Sequence, residues 1–302
     1  MSLFSPTVSV IMPCYNQGQF IDEAVDSVLA QTFSDFEIIV INDGSTDPAT
    51  TQLLQAYEKP KLVVLHTENS GPASARNQGI ARSQGRYILP LDADDRIAPT
   101  FLEKAVPILE ADPNVGIVYS QAELFGSRDG RFDLPTYSFP EILLGNMIFN
   151  TSLYRKADWE KVGGYQENMV WGWEDYDFWL SLIELGRDVV QISEVLYFHR
   201  EVPNSRSQQM TQDHWVKSYT QIFKNHLALY SDHIEVLFQH LIDLRNDAQT
   251  AHQKLHQTEL RMLAIADTVQ SSCWWRTQHR WNKLRKWLGS NVEPVDPLIA
   301  AE

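Results

Sequence analysis

Over its first two hundred residues the chain alternates continuous apolar runs with segments of helical period. Val8–Met12 (VSVIM) is a β-branched run closed by Pro13, the pattern of a strand buried on both faces. Phe20, Ala24, Val25, Val28 and Leu29 then recur at helical spacing. Phe36–Ile41 (FEIIVI) predicts a second buried strand, which Asn42-Asp43-Gly44-Ser45 stops. Asp47 before Pro48 reads as an N-cap and first helical residue, opening a helix through Leu53, Leu54 and Tyr57. Lys61–His66 predicts a third strand, Pro72–Ser83 a helix, Arg86–Leu91 a fourth strand, Thr100–Glu110 a helix and Val115–Tyr119 a fifth strand. From Phe125 to Asn150 the pattern weakens into loops and short strands. Asp177–Leu185 regains helical spacing, and Asp188–Ile192 and Val195–His199 read as two short strands. After about Thr211 the pattern is helical throughout.

This alternation with short connections predicts an α/β, doubly wound, mostly parallel sheet with flanking helices, followed by a C-terminal all-helical extension. Ligands in such sheets bind beyond the carboxyl ends of the strands, where Asp43 and the Asp92–Asp95 cluster fall. From Leu237 to Val269 apolar or small residues return every four and three positions, which argues for a coiled coil and a homodimer through these helices; one long helix docked on its own chain is the alternative. Ser271–Gly289 then holds five Lys or Arg, four Trp and no acid. That profile suits an amphipathic helix in a membrane interface, and equally a helix packed on protein with a solvated basic face.

Charge changes the picture of partners. The 302 residues contain 39 Asp or Glu against 25 Lys or Arg, a net of −14, which disfavours nucleic acid. Cys14 and Cys273 are the only cysteines, so no disulfide framework is expected. The apolar runs are too short to span a bilayer and no basic lead opens the chain. The expected location is cytoplasmic, with the basic helix allowing peripheral contact on the inner face of the cytoplasmic membrane.

Two segments carry chemistry. In Leu91-Asp92-Ala93-Asp94-Asp95 three acids follow a strand, and alternate residues of an extended chain point the same way, so Asp92 and Asp94 can converge on one centre. Such carboxylates need a cation, and Mg2+ or Mn2+ prefers oxygen ligands and bridges carboxylates to phosphates. The plainer reading is an acidic turn capping the helix near Thr100. Trp171-Gly172-Trp173-Glu174-Asp175-Tyr176-Asp177-Phe178-Trp179 is dense in aromatics and acids.

Pro13-Cys14-Tyr15-Asn16, Asn42-Asp43-Gly44-Ser45-Thr46-Asp47, Gly71-Pro72-Ala73-Ser74-Ala75-Arg76-Asn77, Leu91-Asp92-Ala93-Asp94-Asp95 and Trp173-Glu174-Asp175 occur in this order. The set resembles a family-2 glycosyltransferase of the GT-A fold over roughly residues 6 to 207. The resemblance implies a metal-dependent, inverting hexosyltransferase that moves a sugar from a nucleotide donor, UDP-linked in the first instance, to a hydroxyl on a glycan or lipid-linked acceptor in surface polysaccharide or lipopolysaccharide assembly. It implies nucleotide contacts at Pro13, Tyr15, Asn16, Asp43, Arg76 and Asp92, with Mn2+ or Mg2+ on Asp94 and, as a second ligand, His199. It makes Asp175 the general base, with Asp177 as a possible confuser, and puts Trp171, Trp173 and Glu174 on the sugar and acceptor side; packing is the alternative for both tryptophans. Arg200 and Arg206 are candidate diphosphate clamps, and Glu201–Met210 a loop able to order over the donor. The domains expected are a catalytic domain over 1–225, a helical extension over 226–270, the basic Trp-rich helix over 271–289 and a disordered tail over 290–302. Two rivals remain at this level. A sugar-nucleotide nucleotidyltransferase would carry a glycine-rich basic loop after the first strand, whereas Pro13–Gln19 has one glycine and no Lys or Arg. A non-catalytic scaffold would have no use for both acid motifs.

Overall fold

The computed structural model describes residues 5–203, 205, 208–271 and 273–287. Arg206 and the tail over 290–302 lie outside the described residues. The chain order is β1 (Val8–Cys14), α1 (Gly18–Leu29), β2 (Phe36–Asp43), α2 (Pro48–Gln55), β3 (Leu62–Thr67), α3 (Gly71–Arg82), β4 (Tyr87–Pro90), β5 (Arg96–Ile97) and α4 (Phe101–Ala111). It continues with β6 (Val115–Gly126), β7 (Gly130–Phe132), a 3-10 turn (Glu141–Leu144), β8 (Leu153–Arg155), α5 (Lys156–Val162), α6 (Glu174–Glu184) and β9 (Asp188–Glu201). Four helices close it: α7 (Gln212–Asn225), α8 (Leu227–Asp232), α9 (Ile234–Ser271) and α10 (Cys273–Trp287).

The strands form one sheet in the order β3-β2-β1-β4-β8-β6-β9-β5, with β7 pairing on β6. All the long ladders are parallel, and no antiparallel ladder exceeds three residue pairs. β1 lies between β2 and β4, and Val8, Val10, Ile11 and Met12 are fully buried, as their unbroken apolar run requires. α1 covers the sheet with Ile21, Ala24, Val25 and Val28. α3 presses close because Gly79 has no side chain: a Cβ there would sit 2.6 Å from Ile41 Cδ1. Asp47 caps α2 as its sequence signal requires, its carboxylate accepting from Thr50 N at 2.8 Å.

The second half departs from the sequence reading in two places. β6 runs on to Gly126, and Asp188–Glu201 is one strand, not two. Ile192 pairs with Ser120 and Val195 with Gln121, so Ser193 and Glu194 bulge out of a continuous ladder. Their polarity imitates a turn. β5, β8 and α5 carry no pattern of their own and are too short for periodicity to reveal.

The chain divides into two units, Met1–Val236 and Leu237–Glu302. In the first, α7 and α8 are tied to α6 and to the 3-10 turn: Asn225 Nδ2 donates to Asp177 Oδ1 at 2.7 Å and Tyr230 OH to Leu143 O at 3.0 Å. In the second, every residue of α9 from 238 to 265 is exposed. No helix among the described residues is long and apolar enough to cross a membrane.

Candidate functional site

The loops after β1 and β2 are joined by Asn16. Held at φ +55°, its side-chain oxygen accepts from Thr46 N and Asp47 N, both at 2.8 Å, and its backbone N–H donates to Ser45 Oγ at 3.1 Å. Pro13 is half-buried near the end of β1, Cys14 after it is fully buried, and Tyr15 stands beyond the strand 44% exposed. Asp43 is buried at the end of β2, and both its oxygens are in use. Oδ1 accepts from Ser70 N at 2.8 Å and Oδ2 from Gly71 N at 3.0 Å, so it caps α3 across the sheet edge.

Beyond β4 the three acids separate. Asp95 is fully buried and fastens the end of β9: Oδ1 accepts from Arg200 N at 2.8 Å, and Oδ2 meets the Tyr197 hydroxyl and His199 Nδ1, the latter at 3.1 Å. This anchors the imidazole by Nδ1, while its ring packs on Phe132 at a centroid distance of 5.2 Å. Burial works against charge on His199, but the Asp95 hydrogen bond and the surrounding carboxylates outweigh it and raise the pKa to about 9. Asp94 is pushed up to about 7 by burial first, then by Asp95 and Asp92. Arg200 is engaged within the chain. Its Nε donates to Asp94 O at 2.8 Å, its terminal nitrogen pairs with Glu23, and its guanidinium lies over the rings of Phe20 and Phe125.

The two acid motifs meet through Arg76. This side chain, 3% exposed, donates from NH2 to Asp92 Oδ1 and from NH1 to Glu174 Oε1, each at 2.7 Å. Arg76 is therefore a buried bridge rather than an open contact for a base or diphosphate, and Glu174 is its partner rather than a sugar ligand. Asn150 Nδ2 adds a 3.3 Å contact to the same Asp92 oxygen. Asp175, next along α6, is pushed up to about 7 by burial and by Glu174, against the lowering effect of Arg76; Asp92 adds to the rise. Asp92 contributes to the rise at both Asp94 and Asp175. Asn146 Nδ2 lies 3.4 Å from Asp175 Oδ2. Asp177 is fully buried against Asn225 and His226.

The turn into α6 is conformationally demanding. Gly172 has φ +114° and Trp173 φ +68°, a left-handed state that costs a bulky residue of order 1 kcal/mol. Trp173 is held there edge-on by Trp215 and Tyr219 of α7, at centroid distances of 4.9 and 4.5 Å. Trp171 stacks on His214 at 4.4 Å and remains 40% exposed. Trp173 thus packs, while Trp171 keeps surface to offer. Asn146, Asn150, Trp215 and Tyr219 escaped the sequence reading; the asparagines sit in the patternless stretch before β8, and the α7 aromatics read as ordinary helix positions.

The model of the family described as "Glycosyl transferase family 2" matches residues 9–173, more than half of the chain. The chain belongs to that family. In this family-2 glycosyltransferase the matched segment holds Asp43, Arg76, Asp92 and Asp94 and ends at Trp173, with Glu174 and Asp175 directly beyond it. The chain is 33% identical over 213 residues to the putative teichuronic acid biosynthesis glycosyltransferase TuaG of Bacillus subtilis (strain 168), covering 68% of this chain and 84% of that one. It is also 33% identical over 219 residues to an uncharacterized glycosyltransferase of Rickettsia prowazekii (strain Madrid E), at 68% and 65% coverage. The alignments thus span just under two-thirds of that relative and of its counterpart in Rickettsia typhi. The fold is similar to that of S. aureus TarS 1-349 in complex with UDP-GlcNAc, with TM-score 0.58 and 21% identity over 70% of this chain and 64% of that chain.

Among the described residues no group of three or more His, Cys, Asp or Glu side chains is placed to hold a metal ion. Asp94 and His199 are the two side chains that could serve a smaller site, His199 only once its proton is displaced. The Asp94 carboxyl is raised by burial first and by Asp95 and Asp92 next, with His199 acting against them, and His199 is tied to Asp95 through Nδ1. Mg2+ binds through one or two protein groups when substrate oxygens and water complete its shell.

Proposed function

We propose that this glycosyltransferase transfers a sugar with inversion from a UDP-linked donor to a hydroxyl acceptor in cell-surface polysaccharide assembly. The observation that carries this reading is the Arg76 bridge, which draws Asp92 and Glu174 to one guanidinium and so brings together the two motifs that carry Asp94 and Asp175. The nucleotide lies on the carboxyl ends of β1 and β2, with its base beside Tyr15 and Asp43. Asp92 stands at the ribose. Asp94 and His199 would hold Mn2+ or Mg2+, which supplies charge neutralisation to the leaving diphosphate. Asp175 takes the proton of the attacking hydroxyl, and its elevated pKa suits it to that work near neutrality. Glu174, fixed by Arg76, positions the first turn of α6 so that its neighbour faces the sugar. Exposed Trp171 offers an indole face to the acceptor.

The UDP assignment is supported by the TarS complexes with UDP and UDP-GlcNAc, and the polymer class by the printed role of TuaG. A donor screen tests it: release of nucleotide from UDP-, dTDP- and GDP-sugars is followed with and without Mn2+ or Mg2+. Metal-stimulated release from a UDP-sugar is expected. Release confined to another nucleotide, or indifferent to added metal and to chelator, would overturn the donor or the metal assignment respectively.

A further inference from the structure

α9 is 38 residues long, about 57 Å at the rise of an α-helix, and its apolar seam faces nothing in the described chain. Leu241 is 59% exposed and Met262 65%. A helix this long with an uncovered apolar seam is an interaction surface. We propose that α9 pairs with α9 of a second copy of this chain as an antiparallel two-stranded coiled coil centred near Gln253. The proposal goes beyond the transferase reading and does not rest on it.

The seam itself argues for the antiparallel sense. With the centre at Gln253, Leu241 layers on the partner's Ile265, Leu244 on the partner's Met262, Ala248 on the partner's Thr258 and Ala251 on the partner's Leu255. The two small layers let the helices approach closely in the middle while large residues pack at both ends. In a parallel pair Ala248 and Ala251 would each meet their own copy, thinning two layers of the middle. Two such helices in full overlap bury roughly 1,500 Å2, the size of a standard stable interface.

Charge beside the seam points the same way. Residues flanking the core of an antiparallel pair meet like positions of the other helix. Asp247 then faces the partner's Arg261, and Arg245 faces the partner's Glu259; symmetry makes four ion pairs in all. Among the described residues Arg245, Asp247 and Arg261 have no ion-pair partner in their own chain, and Glu259 has only a 3.9 Å contact with His256. Against these stand the meetings of Lys254 with the partner's Lys254 and of His252 with the partner's His252 at the centre. A parallel pair keeps Lys254 with the partner's Glu259 but sets His240 beside the partner's Arg245 and leaves Arg261 opposite the partner's Ala266. The antiparallel arrangement satisfies more of the charges.

Sedimentation equilibrium of the full chain tests this. The wild type is expected as a dimer of the 34.7 kDa chain at micromolar concentration. Arg261→Asp sets like charges against Asp247 at two places and is expected to weaken the dimer about tenfold. Adding Asp247→Arg is expected to restore affinity to within about threefold. All these positions are exposed, so circular dichroism should be unchanged throughout. A monomer at these concentrations, a trimer or larger species, or a double variant that remains weak would each overturn the proposal. Lys254→Cys in a Cys273→Ser background gives an independent reading. Disulfide-linked dimer is expected for Lys254→Cys and not for Ala248→Cys, and the reverse outcome means a parallel coil.

Discussion

As the proposed base, Asp175 carries a cost in stability. Burial and Glu174 raise its pKa to about 7, so the ionised base becomes abundant only as pH climbs through that value. Transfer rate should rise tenfold per pH unit below about 7 and level off above it, measured at saturating donor. Asp175→Asn should reduce transfer by at least about a thousandfold while nucleotide affinity, measured by calorimetry, changes little. Folding linkage has a definite sign here. The native state retains a proton that the unfolded chain would release from about pH 4, so this group's stabilisation is complete below pH 4 and is lost as pH rises through 7. Asp175→Asn should therefore raise the Tm by about 2–4 °C at pH 8 and leave it unchanged at pH 4. Individual acids were legible as acids, but their partners were not. Nothing near Arg76 in the chain announces that Asp92 and Glu174, 16 and 98 residues away, would share its two arms.

At the level of elements, α6 is held from two ends. At its start Arg76 of α3 grips Glu174, and Arg76→Met would leave two carboxylates facing each other without a cation, a loss of about 3–5 kcal/mol by chemical denaturation. Along its length α6 is clasped to the segment between α7 and α8 by His226, whose Nδ1 lies 2.9 Å from Glu184 and whose Nε2 lies 3.3 Å from Asp177. Burial opposes its charge, yet Asp177 and Glu184 prevail and raise the pKa to about 9. The clasp's contribution is complete below about pH 6.5 and is lost as pH rises through 9. A fall in stability of about 2 kcal/mol between pH 7 and 10 is expected for the wild type, and His226→Gln should flatten it. The parallel half of the sheet was readable because buried strands leave unbroken apolar runs. The antiparallel insertions were not, since two- and three-residue strands such as β5 and β8 acquire their identity from neighbours.

For the whole molecule, the acidic catalytic unit contrasts with the basic, Trp-rich sequence of Ser271–Gly289. Deleting residues 271–302 should move the protein from the membrane pellet to the supernatant with nucleotide release intact; an unchanged distribution assigns that segment to protein contacts instead. The fold class was visible from alternation alone, and the apolar seam of the C-terminal helix was visible from its spacing, whereas what covers that seam was left between a second chain and the chain itself.

β9 has one more consequence. Tyr197 and His199 reach the same carboxylate because they sit two apart on one strand, and Asp95 accepts the backbone of the very next residue. A single-codon insertion between Val195 and Tyr197 would invert which side chains look inward, handing Asp95 a phenylalanine in place of an imidazole. Homologous enzymes should thus vary in length freely across the stretch from Gly126 to Asn150, and hold the spacing of this strand as rigidly as the identity of its histidine.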